Sequence, residues 1–565
     1  VVLVIAFAAS ELQEALACPP PKGAVKKLVP FNAKFRTKSA ALQPVIGGSN
    51  ILLPLGVGMM PGFPRASSTW CCGPGLYYDL DDADSTQEAL MPCTAECLQY
   101  CSPQIHRCYD SIWAIKAGGL NARNFPVTMS GHPCCPLAVA DIDGDSKPEI
   151  AVGSDINPAY GPKNPDSRVY VFNSDGTGVS GFPKDLNRGP IAGGICLVDL
   201  DGWKAGGDEY PEVLFGTRGW EVIGQAPEAG KIAAVNADGS YVSGWDKALD
   251  DYQVSNSPAV GDLLGGQNFP GNEVVFSVHR FRQTLSGYAY ESRVLVFNRD
   301  GAQIAAYDIG DVAGPTMVSM ASPAIGKIRQ YQDESIISNI VVCSGPGTKS
   351  SPVTDGKICI MHLVPNGTLA TVMLDWSVEA SSQQCQYGGG DFPDGFSADP
   401  AIADLDSDGQ NEVVALSDQG TLYLVDFVGP IIAVVTATTA TCGSAHFRVS
   451  SPLVFDIDAT HTDMEIIVGT SPDIDRARAY IIVYKYRQGG GLNKLYDIGP
   501  FSDKITMTPA LGDIDADNKT DMIAQPLTGG LIFCLEFDNS TYDAPINSNG
   551  WPCMGRDAAR THCAD

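Results

Sequence analysis

The chain has 565 residues, 44% of them hydrophobic, and carries a formal net charge of −28. That is enough apolar material for a large core, whereas the acidic excess excludes a nucleic-acid backbone as partner, which needs a basic face. Nothing in it approaches the ~20 consecutive apolar residues of a membrane-spanning helix, so no transmembrane segment is expected.

The amino terminus opens on an apolar run, Val1 to Ala9, and Ala15-Leu16-Ala17 before Cys18 has the small-x-small pattern that signal peptidase cuts. Residues 1–17 are read as a signal-peptide remnant and the protein as secreted, extracellular or at the cell surface. Cysteine usage agrees. Of 17 cysteines, Cys18, Cys71, Cys72, Cys93, Cys97, Cys101, Cys108, Cys134 and Cys135 crowd the first part of the chain, a density typical of oxidising compartments. Residues 18–110 are therefore expected to form a disulfide-stapled, Cys-rich cap. Asn366-Gly-Thr and Asn539-Ser-Thr are glycosylation sequons.

From residue 111 to 541 the chain repeats itself. Seven copies of one unit begin at Leu137, Leu197, Ser257, Ser322, Asp399, Ser451 and Thr508. In each, a short apolar strand leads into a loop, acidic in most copies, and a β-branched strand such as Glu149-Ile-Ala-Val-Gly153 leaves it. A hairpin follows, with Asp-Gly turns at Gly176, Gly239 and Gly301. Strand, loop, strand and hairpin make a four-stranded antiparallel blade, and a run of such units predicts an all-β, seven-bladed β-propeller. Two closures of the ring are open at this point. Either the hairpin-like segment from Ser111 pairs with the last repeat, or that repeat is complete in itself, with the strand after Gly529 as its third. Residues 542–565 read as a C-terminal tail with Cys553 and Cys563 available for stapling.

The loops carry the chemistry. Asp141, Asp143, Asp145 and Glu149 occupy loop positions 1, 3, 5 and 9, and the spacing returns at Asp404, Asp406, Asp408 and Glu412 and at Asp513, Asp515, Asp517 and Asp521. Carboxylates about 4 Å apart repel by roughly 1 to 4 kcal/mol per pair, so such a turn calls for a cation. Calcium takes six to eight hard oxygens and tolerates irregular geometry. Partial sets remain at Asp199, Asp201 and Glu212, with Asp208 in an insertion, and at Asp456, Asp458 and Glu465, with His461 inside the loop. Asp262 followed by Leu264, and Lys327 in the first position, mark two loops expected to be metal-free. The expectation is Ca2+ as cofactor, about three to five structural ions.

These loops resemble the FG-GAP/VCBS repeats of integrin α-subunit propellers and of many bacterial and protist surface proteins, over roughly residues 111–535. The resemblance implies ions on one face of the disc that stiffen the blades, with ligands docking on the opposite face or the rim. The favoured function is a non-enzymatic adhesion or scaffold protein that binds an extracellular protein or glycan, or its own copies in an oligomer or filament. The alternatives are a polysaccharide-active enzyme such as a calcium-dependent lyase, and a lectin-like module using Trp203, Trp220, Trp245 or Trp376. No catalytic residues are assigned, because the seven histidines are scattered singly and no Gly-x-Ser-x-Gly elbow, phosphate loop or His-Glu-x-x-His helix is present.

Overall fold

The computed structural model describes residues 51–564 apart from loop stretches, the longer ones being 81–85, 95–109, 155–166, 202–208, 220–228, 310–320, 346–354, 381–393, 439–449, 459–463, 471–478 and 543–562. Its strands form eight sheets, the blades of a β-propeller. Blade 2 shows the plan. Ala138–Ala140 is innermost, followed outward by Glu149–Gly153, Arg168–Asn173 and Lys184–Asp185. Second strands read Glu149–Gly153, Glu212–Gly216, Glu412–Leu416 and Glu465–Gly469 and are buried throughout. Their continuous apolar runs lack a solvent-facing alternation because each is covered on both faces by neighbouring blades.

The blade count corrects the expectation of seven. The seven recognised repeats are blades 2 to 8, and an eighth unit precedes them: Leu76–Tyr78, Glu88–Thr94 and Asp110–Lys116, with Leu120–Asn121 and Val127–Met129 on the outside. This blade 1 lies largely within the region assigned to a Cys-rich cap, and no such cap is seen among the described residues. Its unit was masked in the sequence by Pro92 and Cys93 inside the second strand and by the crowded Asp81, Asp82 and Asp84 of its loop. Cys97, Cys101 and Cys108 lie outside the described residues. Cys135 is buried and its Sγ donates to the Gly153 carbonyl at 3.1 Å.

Closure is made by neither route foreseen. Leu531–Phe537 is the third strand of blade 8, as anticipated, but its outer strand is Val57–Met59, paired through Val57 with Phe537 and Met59 with Leu535. Arg65–Ala66 pairs with the same strand at Ile532 and Leu531. The segment from Ser111 belongs to blade 1. Blades 8 and 1 meet closely at Gly512, where a Cβ would stand 2.2 Å from the Tyr77 ring. Near the other end of the chain, Cys563–Ala564 runs parallel to the innermost strand of blade 5.

A belt of hydrogen bonds links successive blades. Gly194 N donates to Ser257 Oγ (2.8 Å), Ser257 N to Ser322 Oγ (3.0 Å), Ser322 N to Asp399 Oδ1 (2.6 Å), Asp399 N to Ser451 Oγ (3.0 Å) and Ser451 N to Thr508 Oγ1 (2.9 Å). Each acceptor immediately precedes a proline, which holds it extended at the mouth of the innermost strand. The recurring Ser/Thr/Asp-Pro at the head of the repeats is thus an inter-blade clasp.

Candidate metal centres

The acidic loops join the first and second strands, so the repeated topology brings them to one face of the disc. The first aspartate organises the turn. Asp141 accepts from Gly144 N (2.7 Å) and Ser146 N (2.9 Å), Asp404 from Asp408 N (3.1 Å) and Gly409 N (2.9 Å), and Asp513 from Asp517 N (3.1 Å) and Asn518 N (2.9 Å). The turn places loop positions 4 and 6 in the left-handed region: Gly144 and Ser146, Ser407 and Gly409, Ala516 and Asn518. Four of these six residues have a side chain, so the local backbone is held against its preference.

The last carboxylate opens the second strand and is buried, with Glu149 and Glu412 at 1% exposure and Asp521 at 0%. One of its oxygens accepts the backbone N–H of loop position 2, from Ile142 (2.9 Å), Leu405 (2.7 Å) and Ile514 (2.9 Å). The same bond recurs in the other blades: Leu80 to Glu88, Leu200 to Glu212, Leu263 to Glu273, Ile457 to Glu465, and Ile328 to the Asn339 amide oxygen. It closes the loop whether or not the remaining acids are present.

Oxygens of the first, third and last acids come within 4.8 Å of one another in Asp141/Asp143/Glu149, Asp199/Asp201/Glu212, Asp404/Asp406/Glu412 and Asp513/Asp515/Asp521. The fifth-position acids take a different part. Asp145 and Asp408 accept from Lys147 N (2.8 Å) and Gln410 N (2.9 Å) and stand outside these groups. Asp517 joins a second group with Asp515 and Glu536, and Lys519 Nζ lies 2.8 Å from both Asp517 and Glu536. Asp456, Asp458 and Glu465 form no such group; Asp458 N donates to Asp456 Oδ1 (3.0 Å) and Glu465 pairs with Lys485. Asp208 and His461 lie outside the described residues.

Glu149 Oε1, Glu412 Oε1, Asp521 Oδ1 and both oxygens of Asp406 are buried without a hydrogen-bond partner. Leaving ionised oxygens unsatisfied is costly. Burial, reinforced by the neighbouring aspartates, pushes the carboxyl groups up to about 7 for Glu149, about 8 for Asp521 and about 9 for Glu412. An all-oxygen donor set with one buried, unpartnered member suits a hard cation such as calcium and not the nitrogen and sulfur preference of zinc.

Sequence reasoning missed the facing residues of the third strand. Asp426 lies one register step beyond the Val413–Val425 pair, opposite Glu412, and accepts from Tyr486 Oη at 2.8 Å. Glu536 lies directly opposite Asp521. The two expected metal-free loops lack a cluster of three carboxylates among the described residues. In one of them Asn339 Nδ2 reaches Asp375 Oδ2 (3.1 Å), whose other oxygen bonds His362 Nδ1 (2.9 Å). Of the tryptophans considered for sugar stacking, Trp245 is fully buried and its indole donates to the Arg299 carbonyl, and Trp376 packs edge-on against Phe427. Trp203 and Trp220 lie outside the described residues.

Residues 137–172, which span the three inner strands of blade 2 and its acidic loop, match the family model of the FG-GAP repeat. The chain is a β-propeller that carries an FG-GAP repeat. No curated protein matches the chain. Among solved structures it is similar to the Dos1 propeller, with 9% identity over 85% of this chain and 97% of that one and a TM-score of 0.44. It is also similar to BBS1N in complex with ARL6DN, with 11% identity, 72% and 92% coverage and a TM-score of 0.35. A third is the rhamnogalacturonan lyase YesW, with 12% identity, 84% and 91% coverage and a TM-score of 0.33.

Proposed function

We propose that this FG-GAP propeller is an extracellular, calcium-stiffened scaffold or adhesion module without catalytic activity. The observation that carries the reading is the recurrence, in register in blades 2, 6 and 8, of a carboxylate cluster containing a buried oxygen with no partner. Calcium in these loops neutralises the cluster and ties the turn to the second strand, so the ions are structural. Blade 3 offers a fourth cluster, in keeping with three to five ions. A rigid disc then presents its opposite face and rim to an extracellular protein or glycan, or to further copies of the chain. Export is supported by the apolar amino-terminal segment, and Asn366 stands exposed at the tip of the hairpin between Lys357–Asn366 and Leu369–Glu379, accessible to glycosylation.

The test is metal analysis of the purified protein, paired with negative-stain imaging with and without chelator. Three to five bound calcium ions, and discs or assemblies that loosen when calcium is withdrawn, are expected. A protein with no bound calcium, and with discs indifferent to chelator, would overturn the reading.

A further inference from the structure

The residue facing the loop-closing carboxylate differs from blade to blade. It belongs to the third strand, across the register from the first residue of the second. In blades 2 and 8 the printed pairs are Glu149 with Asn173 and Asp521 with Glu536, and in blade 7 the pair is Glu465 with Lys485. One step beyond Ala89–Ile115, Lys116 faces Glu88 in blade 1; one step beyond Val413–Val425, Asp426 faces Glu412 in blade 6.

The two lysines reach the oxygen that matters. Lys485 Nζ lies 3.1 Å from Glu465 Oε1, with both side chains buried at 5% and 0% exposure, while Glu465 Oε2 accepts the Ile457 N–H. Lys116 Nζ lies 3.0 Å from Glu88 Oε1, an ion pair by distance without hydrogen-bond geometry, while Glu88 Oε2 accepts the Leu80 N–H. In blades 2, 6 and 8 the corresponding oxygens, Glu149 Oε1, Glu412 Oε1 and Asp521 Oδ1, have no hydrogen-bond partner and face Asn173, Asp426 and Glu536 instead of a lysine. Blade 8 also contains a nearby lysine, but Lys519 is engaged by Asp517 and Glu536, and Asp521 Oδ1 stays unpartnered.

We infer that blades 1 and 7 carry their own cation, the ammonium of Lys116 or Lys485 standing where a divalent ion binds in blades 2, 6 and 8. The facing residue therefore sets which loops load metal. An ammonium and a divalent cation cannot share one carboxylate oxygen, since they repel at that separation and the lysine is held by its strand. Blade 7 keeps acids at the first, third and last positions, Asp456, Asp458 and Glu465, so removing the lysine charge leaves a donor set of the same type as in blade 2. The two lysine blades stay stapled when calcium is withdrawn, and the acidic-cluster blades do not.

This inference rests on the calcium reading above, and the experiment separates the two. The chelator-stripped full-length protein, Lys485→Met and the reciprocal Asn173→Lys are titrated with radioactive calcium by equilibrium dialysis, with imaging to confirm intact discs. Lys485→Met is expected to bind one ion more than the parent, and Asn173→Lys one fewer. A parent that binds calcium, alongside a folded Lys485→Met with unchanged stoichiometry, overturns this inference alone; a parent that binds none overturns the calcium reading and this inference with it. Asn173→Lys does not depend on the fold of the methionine variant, and its retention of every ion would equally overturn the assignment.

Discussion

Replacing Asp406 by Asn should stabilise the protein without calcium and destabilise it with calcium. Asp406 shares its cluster with Asp404 and Glu412, their oxygens within 4.8 Å of one another, and neither Asp406 oxygen has a hydrogen-bond partner. Two unit charges at that separation repel by about 0.9 kcal/mol at the dielectric of water and about 3.5 kcal/mol at an effective dielectric of 20. In chelator the variant sheds its repulsion with Asp404 and gains about 1 to 3.5 kcal/mol. At calcium a thousandfold above the dissociation constant, an intact site contributes about 4.1 kcal/mol, which the variant forfeits. It then stands about 0.6 to 3 kcal/mol below the parent. Thermal melts of both proteins, in chelator and in saturating calcium, read the crossing directly. A shift of the same sign and size in both conditions would refute the electrostatic account and leave Asp406 as a turn residue.

Asp394 is buried, accepts from Gly395 N (2.9 Å) and Gln419 N (3.0 Å), and has an unpartnered second oxygen; burial raises its carboxyl to about 7. Because the folded value lies above the unfolded one, its contribution is complete below the unfolded carboxylate range and is lost as pH rises through 7. Asp394→Asn should therefore outlast the parent on heating at alkaline pH, by at most about 4 kcal/mol at 1.36 kcal/mol per unit, and converge with it on acidification; a gap that ignores pH would contradict this. Met60 is 2% exposed and its N–H donates to the Cys534 carbonyl at 3.0 Å, beside the strand that closes blade 8. Met60→Ala should cost about 2 to 5 kcal/mol and reduce amide-exchange protection across Leu531–Phe537 ahead of the other blades. The Cys343 and Cys534 thiols, buried and pushed well above their usual range, should resist alkylation in the native protein and react on denaturation, as mass spectrometry of the labelled chain will report.

Repetition made the blade plan and most of the acidic loops readable before any coordinates. Asp141/Asp143/Glu149, Asp404/Asp406/Glu412 and Asp513/Asp515/Asp521 stand together because spacing within a tight turn translates directly into proximity. The fifth-position Asp145 and Asp408 did not join them, since each turns back on the N–H two residues further along, an Asx-type bond that competes for the side chain. Blade 1 was hidden because its cysteines pointed to a stapled cap and Pro92 interrupts the usual strand signal. The facing lysines were out of reach for a different reason. Lys485 is 20 residues from Glu465, and only the register of two strands brings them opposite. A clue existed in Asn173, Asn236 and Asn298, each just before an Asp-Gly turn. The recurrence of that asparagine in three blades marks the column in which Lys116, Asp426, Lys485 and Glu536 stand in others.

The outer strand of blade 8 has a consequence for synthesis. Val57 must pair with Phe537, a separation of 480 residues along the chain. At about 5 to 20 residues per second, a ribosome takes roughly 24 to 96 seconds to deliver the partner after the strand has emerged. Throughout that interval Val57–Met59 is an uncommitted β edge, while the four-stranded units of the blades between are built in turn from contiguous chain. The last event in building the ring is therefore the capture of nearly its first-made strand, and a factor that shields this segment during translation would govern yield without touching the finished protein's stability.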